Sequence, residues 1–377
     1  MIDLVYLLPL RYPTEKAYAV TIGNTLSCMP ASEFSTEIWC ESNAHSDQFK
    51  NTIMPFSLPR PHSKKFSVLN RVSGIFIFYL RLVIFAGKTR SKFKFRKEVN
   101  FVWTRHPLSL IFIYKSRKVS KILIEFHQSP NFLDRQLTRL YSLEKSVHII
   151  GITEKSVHEL KELFPGARVE KAEMGVPEMH VLDKSVPLPT QIRIGYVGKG
   201  TSSGNDNNLK ILIQGFSLLK SPGVVLEFVG LEPKIKEQLR EMSKIFEISE
   251  ERISFVDHIP HEMIRNTIAG LSIGVIPYEW NEYNSHRFPI KMVEYAAAGL
   301  WILADAAFAD GLGLSEKMVI RYKTGNPQDL ADKMESLCIK ISSSPVRNEF
   351  AINFAKDRTY SRRAELIATE LLSETMD

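Results

Sequence analysis

The sequence predicts an α/β protein of two domains, each a parallel sheet covered by helices on both faces. Three observations carry this expectation. Short β-rich runs alternate with helical segments along the chain, the pattern that produces parallel sheets with buried faces. The alternation pauses once, at Leu182-Asp-Lys-Ser-Val-Pro-Leu-Pro-Thr190, a stretch of linker composition. The length of 377 residues, with 44% apolar and 24% charged side chains, suits two full cores of a globular protein. The expected division is a first domain over 1–181, a linker at 182–190, a second domain over 191–345 and closing helices over 346–377.

The opening MIDLVYLLPLRYP has no basic leader or small-residue cleavage site, so it reads as a first strand, Ile2 to Leu8, rather than a signal peptide. A helix from about Glu15 to Cys28 and strands at Glu37–Cys40, Val99–Thr104, Lys121–Phe126 and Val147–Gly151 follow, with helices over Phe132–Leu143 and from Thr153, an N-cap, to Pro165. Residues 41–66 show no firm pattern. The second series has strands at Arg193–Val197, Val224–Val229, Ile253–Val256, Ser272–Ile276, Trp301–Ala304 and Met318–Arg321 with helices between them. Helical stretches over Val346–Ala355 and Ser361–Leu372 close the chain. Three scattered cysteines, Cys28, Cys40 and Cys338, form neither a disulfide framework nor a four-ligand zinc site, which fits a reducing, cytoplasmic compartment.

The net charge of +7 is a local matter. Residues 60–97 hold eleven basic side chains and no acidic one: Arg60, Lys64, Lys65, Arg71, Arg81, Lys88, Arg90, Lys92, Lys94, Arg96 and Lys97; without them the rest of the chain carries −4. Between the basic clusters runs an apolar, aromatic stretch from Gly74 to Gly87, too short to cross a bilayer as a helix. Apolar residues flanked by cations suit an element lying on an anionic membrane surface, and an ordinary core helix with a solvated basic end is the other reading. No zinc-finger spacing or aromatic-glycine single-strand signature points to nucleic acid.

The stretch from Asn284 to Gly299 carries the clearest chemistry. Pro289 suits the first position of a helix, three alanines favour it, and Gly299 can take the left-handed turn that stops it. Lys291 and Glu294, three apart, project from one face near its N-terminus. An anion there would meet backbone N–H groups, the helix dipole and an ammonium, while Glu294 can accept from a ribose diol, so the arrangement suits a nucleotide diphosphate. A second phosphate cradle is predicted where the strand ending at Val197 runs through Gly198-Lys-Gly-Thr-Ser-Ser-Gly-Asn-Asp-Asn-Asn208 into a helix over Leu209–Leu219, with Lys199 as counter-charge. In the first domain, Arg105 and His106 follow one strand, and Glu125 and His127 stand at the end of another, where parallel sheets place their working groups.

These motifs resemble glycosyltransferase family 4, of the GT-B fold and bacterial surface-glycan type. Pro289-Ile-Lys-Met-Val-Glu-Tyr-Ala-Ala-Ala-Gly299, Gly195-Tyr-Val-Gly198 with Ile211-Leu-Ile-Gln-Gly-Phe216, and Ile150-Gly-Ile-Thr-Glu154 carry the resemblance, with looser agreement at Glu125-Phe-His127, Gly175-Val176 and Tyr360-Ser-Arg-Arg-Ala364. It implies two Rossmann-like domains facing across a cleft, a nucleotide sugar in the second and an acceptor, glycan or lipid-linked, in the first. It further implies transfer with retention of configuration and no metal or other cofactor at the diphosphate. Carried over, Glu294 would bind the ribose, Lys291 and Lys199 the diphosphate beside Gly198, and Ser285, His286, Arg287 and Phe288 the donor sugar through backbone groups. His127, with Glu125, would lie at the reacting sugar, with Arg105 and His106 on the acceptor side. Two positions depart from the family pattern: His286 replaces a glutamate, and Asn207 stands where a second phosphate-binding lysine is common.

The implied enzyme is cytoplasmic and peripheral on the inner face of the plasma membrane, where it builds a cell-envelope polysaccharide. Its partners are the nucleotide sugar, the acceptor and the anionic membrane surface, with no role for nucleic acid. A nucleotide-sugar epimerase on the same fold and a non-catalytic glycan- or nucleotide-binding subunit are the alternative readings.

Overall fold

The computed structural model describes residues 1–12, 17–41, 52–55, 69–96, 99–202 and 205–373. Arg60, Lys64, Lys65, Lys97 and the expected helix start at Glu15 lie outside them. The chain divides into two compact units, one of Met1–Glu173 with Tyr360–Asp377 and one of Met174–Thr359.

The first unit runs β1 (Ile2–Arg11), α1 (Ala17–Ser27), β2 (Phe34–Glu41), β3 (Thr52–Pro55), α2 (Leu69–Lys94), β4 (Phe101–Thr104), β5 (Lys121–Phe126), α3 (Phe132–Ser142), β6 (Ser146–Gly151), α4 (Glu154–Leu163) and β7 (Arg168–Lys171). Its strands form one parallel sheet in the order β3-β2-β1-β4-β5-β6-β7. Alternate residues of β1 face opposite sides. Leu4, Tyr6 and Leu8 join one core, while Val5 and Leu7 join another with Leu82 and Phe85 of α2. A sheet buried on both faces explains the apolar runs Leu4–Leu8 in β1 and Ile122–Ile124 in β5. Thr153 caps α4 in a reciprocal capping box with Ser156.

The second unit runs β8 (Arg193–Val197), the hairpin β9 (Thr201–Ser202) and β10 (Asn205–Asp206), α5 (Lys210–Ser217), β11 (Val225–Val229), α6 (Pro233–Ile245), β12 (Ile253–Val256), α7 (His261–Ala269), β13 (Ile273–Ile276), α8 (Glu282–Ser285), α9 (Ile290–Ala297), β14 (Trp301–Asp305), α10 (Ala306–Gly311), β15 (Val319–Tyr322), α11 (Pro327–Ser343) and α12 (Glu349–Lys356). Its main sheet is also parallel, in the order β12-β11-β8-β13-β14-β15. The last helix, α13 (Tyr360–Leu372), belongs to the first unit, where Ala364, Ile367, Ala368 and Leu371 pack into the core that holds α1.

The structure revises the expected boundaries. The crossings fall at Glu173/Met174 and Thr359/Tyr360, so residues 346–377 are shared between the units. The stretch 182–190 packs within the second unit: Leu182 N–H donates to the Ala297 carbonyl at 2.8 Å and Leu188 N–H to that of Pro345 at 2.9 Å. The buried Arg347 guanidinium fixes the same stretch through the carbonyls of Val186 and Pro187, while also reaching Ala298 at the end of α9. Prolines made this segment look like a linker, but its backbone groups have partners. Two short edge strands, β3 and β7, were not predicted.

Within the basic region, α2 extends beyond the apolar centre at both ends. Leu82, Phe85, Ala86, Thr89 and Phe93 of α2 form its buried stripe, while Phe76, Leu80 and Val83 stay exposed in line with the exposed Arg90 and Lys94. Among the described residues no helix is long and apolar enough to cross a membrane.

Candidate active site

In a parallel sheet the crevice lies beyond the carboxyl ends of the strands, where the strand order reverses. In the second unit that reversal falls between β8 and β13. The loops leaving these strands and the start of α9 converge there.

Lys291 is central to this convergence. Its Nζ lies 5.2 Å from the centre of the Tyr196 ring and 5.9 Å from that of Tyr278, within cation–π range. Burial disfavours the cation, but Tyr196, Tyr278 and Tyr295 outweigh this and hold its pKa above the ordinary lysine value, so it is charged at neutral pH. Among the described residues no carboxylate forms an ion pair with it. Gly198 makes the approach possible: its φ is +138°, and a Cβ would stand 2.6 Å from Lys291 Nζ. The Val197 N–H beside it donates to the Tyr295 hydroxyl at 2.9 Å, which ties α9 to the end of β8.

Helix α9 begins one residue later than predicted, with Pro289 at its cap and no side-chain capping bond, and ends before Gly299 at φ +63°. Glu294 borders a small cavity with His180, Ile264 and Arg265. Burial pushes its carboxyl up, against the pull of Lys291.

Other predicted donor residues turn elsewhere. Asn207 is buried and its Nδ2 donates to the Tyr196 hydroxyl at 2.9 Å, so its amide braces the ring beside Lys291. Phe288 faces the core, its ring 6.2 Å from that of Phe354 on α12. Ser285 Oγ donates to the Glu282 carbonyl, and His286 Nδ1 lies 2.9 Å from the same oxygen, with both side chains buried. The Arg287 guanidinium stacks on Tyr283 at 4.6 Å. Lys199 is exposed, and its carbonyl accepts from the Glu232 N–H.

The first unit gathers a second group at the ends of β4 and β5. The Glu125 side chain is fully buried, and its Oε1 accepts from Arg105 Nη2 at 2.8 Å, Arg363 Nη2 at 2.8 Å and His127 Nε2. Burial alone would raise the Glu125 pKa, but Arg105, Arg363 and His127 outweigh it and hold the carboxyl well below its usual range. Burial and Arg105 push His127 down to about 4, against the pull of Glu125. Burial and Arg105 likewise take His106 to about 4, with its ring edge-on to Phe78 of α2. Both histidines are therefore neutral at pH 7.

Sequence reasoning missed Arg363 and the three tyrosines around Lys291. Arg363 lay inside Tyr360-Ser-Arg-Arg-Ala364, and Tyr196 and Tyr295 inside Gly195–Gly198 and Pro289–Gly299, motifs recognised without a role for those residues, while Tyr278 lay in no motif.

Residues 191–339 match a family model described as glycosyl transferases group 1. The match runs from β8 into α11 of the second unit. The chain is similar along its length to solved structures of low identity. Sucrose-phosphate synthase from Thermosynechococcus elongatus superposes with a TM-score of 0.73 at 10% identity, over 100% of this chain and 99% of the other. HepE from Anabaena, in complex with UDP and glucose, gives 0.69 at 13% identity over 99% and 100%. WaaG, a glycosyltransferase involved in lipopolysaccharide biosynthesis, gives 0.63 at 13% over 98% and 99%. These likenesses give the chain the GT-B fold. No curated protein sequence matches the chain.

Proposed function

We propose that this glycosyltransferase moves a sugar from a nucleotide-diphosphate donor to a glycan or lipid-linked acceptor, with retention of configuration, at the inner face of the plasma membrane. The observation that carries the reading is the Lys291 ammonium, charged, enclosed by tyrosine rings and without a carboxylate partner among the described residues. A cation held this way needs an anion, and a diphosphate supplies one without displacing an ion pair. Glu294, one turn along α9, receives the ribose, and the backbone of the Asn284–Phe288 loop receives the sugar. That HepE was solved with UDP and glucose supports the donor class.

Glu125 and His127 serve the reacting sugar and Arg105 and His106 the acceptor. With its Nε2 facing the Glu125 carboxylate, a neutral His127 carries its proton there and keeps the Nδ1 lone pair to accept from a sugar hydroxyl. The protein's part is then to orient the sugar and stabilise charge as the leaving diphosphate departs. Helix α2 supports membrane docking: Phe76, Leu80 and Val83 are exposed, and farther along Arg90 and Lys94, with Lys115, border a groove of about 620 Å³ that Phe93, Phe112 and Tyr114 also line.

The test is Lys291→Ala and Glu294→Ala, assayed for nucleoside-diphosphate binding and for transfer. Loss of both with unchanged unfolding is expected, and full activity in both variants would sink the proposal.

A further inference from the structure

Arg363 reaches Glu125 from α13, 238 positions along the chain. Its side chain is 3% exposed, and its remaining bonds run from Nη1 to the carbonyls of Ala172 and, at 2.7 Å, Glu173. These are the last two residues before the chain leaves the first unit, and α13 begins where it returns. One guanidinium thus joins the outgoing chain, the returning chain and the carboxylate that holds His127.

We propose that Arg363 is a positioning residue, which fixes the Glu125 carboxylate so that Glu125 in turn sets the orientation and proton position of His127. The inference rests on the reading of His127 as the side chain that meets the reacting sugar. Arg363 itself touches no substrate.

The physical argument starts from Glu125. A fully buried carboxylate stays ionised only while charged donors compensate it. Arg105 and Arg363 each supply one such bond to the same oxygen, Oε1, at 2.8 Å. Arg105 comes from the neighbouring strand end and forms with the local fold. Arg363 comes from the last helix and its other bonds anchor it to main chain, which makes it the fixed point of the group. Without Arg363, Glu125 must take up a proton or turn toward Arg105 alone. Either change weakens the acceptor that keeps the His127 proton on Nε2, and the Nδ1 lone pair is no longer held toward a substrate hydroxyl. A purely structural staple would behave differently, because its loss would lower stability and leave the ring of His127 as it was.

The experiment is nitrogen-15 NMR of the histidines in the full-length protein, with His127→Gln to assign the signal, for the wild type and Arg363→Met. In the wild type the His127 proton is expected on Nε2, with titration near pH 4. In Arg363→Met a mixture of the Nε2–H and Nδ1–H tautomers is expected, because the carboxylate no longer holds the proton on Nε2. Arg363→Lys, which keeps the charge and one bond, should return the tautomer ratio more than halfway to that of the wild type. Arg363→Gln, which keeps a donor for the Ala172 carbonyl, serves in place of Met if that variant does not fold. An unchanged His127 tautomer in a folded Met or Gln variant would overturn the inference, as would a tautomer mixture in Arg363→Lys as large as in the neutral variants. Full transfer by His127→Ala would instead remove the reading of His127 at the sugar, and the two failures are therefore separable.

Discussion

Gly198→Ala tests whether the approach of Lys291 over the β8 loop organises the proposed donor site. The added Cβ would lie 2.6 Å from Lys291 Nζ and 2.7 Å from Cε, so the lysine must retreat by about 1 Å to restore van der Waals contact. Crowding of this kind costs about 1–3 kcal/mol, and a non-glycine residue at φ +138° adds strain of about 1–3 kcal/mol. The two contributions separate in a double-mutant cycle. In a Lys291→Ala background the crowding atoms are gone and only the backbone strain remains, so Gly198→Ala should cost about 1–3 kcal/mol less there than in the wild type. Urea unfolding of the four proteins measures this coupling. Calorimetry with a nucleoside diphosphate gives the functional counterpart: loss of a charged donor, worth about 1.5–3 kcal/mol, predicts roughly 10- to 150-fold weaker binding for Lys291→Ala. Gly198→Ala should weaken binding in the same direction, with little further loss in the double variant. Additivity of the unfolding energies to within about 0.5 kcal/mol would refute the claim that Gly198 acts through Lys291.

Stability should fall on mild acidification, because His106 and His127 have folded pKa values of about 4 against an ordinary 6.5. The unfolded chain then binds protons that the folded protein refuses, so the stability present above pH 6.5 is lost as pH falls toward 4, by about 2 kcal/mol per histidine at pH 5. Urea midpoints at pH 7 and pH 5 check this, and His127→Gln should remove about half of the difference. Neutralising Lys88, Arg90, Lys92 and Lys94 together is expected to weaken binding to vesicles containing phosphatidylglycerol at least tenfold, since each cation near an anionic surface is worth about 1 kcal/mol. Equal binding by the neutralised protein, or binding indifferent to salt, would leave α2 as a core helix with a solvated basic end.

The central strands were legible because a sheet covered on both faces demands apolar runs, as in β1, β5 and β8. The edge strands Thr52–Pro55 and Arg168–Lys171 were not, since each has only one neighbour in the sheet and needs no such run. The Lys291–Glu294 pair could be read from helical spacing, but its surroundings could not. Tyr196, Tyr278 and Tyr295 meet because the strand order sets β8 beside β13, a fact of topology rather than of any local sequence. Side-chain direction was equally hidden. Asn207 sits in a polar loop that suggested phosphate, yet it braces a tyrosine; Phe288 sits in a motif that suggested a sugar, yet it faces the core. Arg363 was beyond reach because its partner lies 238 residues earlier.

The placement of α13 gives the two units different histories during synthesis. The unit Met174–Thr359 is continuous in sequence, so its fold can close once that stretch has emerged. The other unit begins before it and is completed after it, because Glu125 acquires Arg363, and Lys121 Nζ its bond to the Leu371 carbonyl, only when α13 arrives. A nascent chain stopped before Tyr360 would therefore carry a closed second unit and a first unit whose buried Glu125 still lacks one of its two arginines.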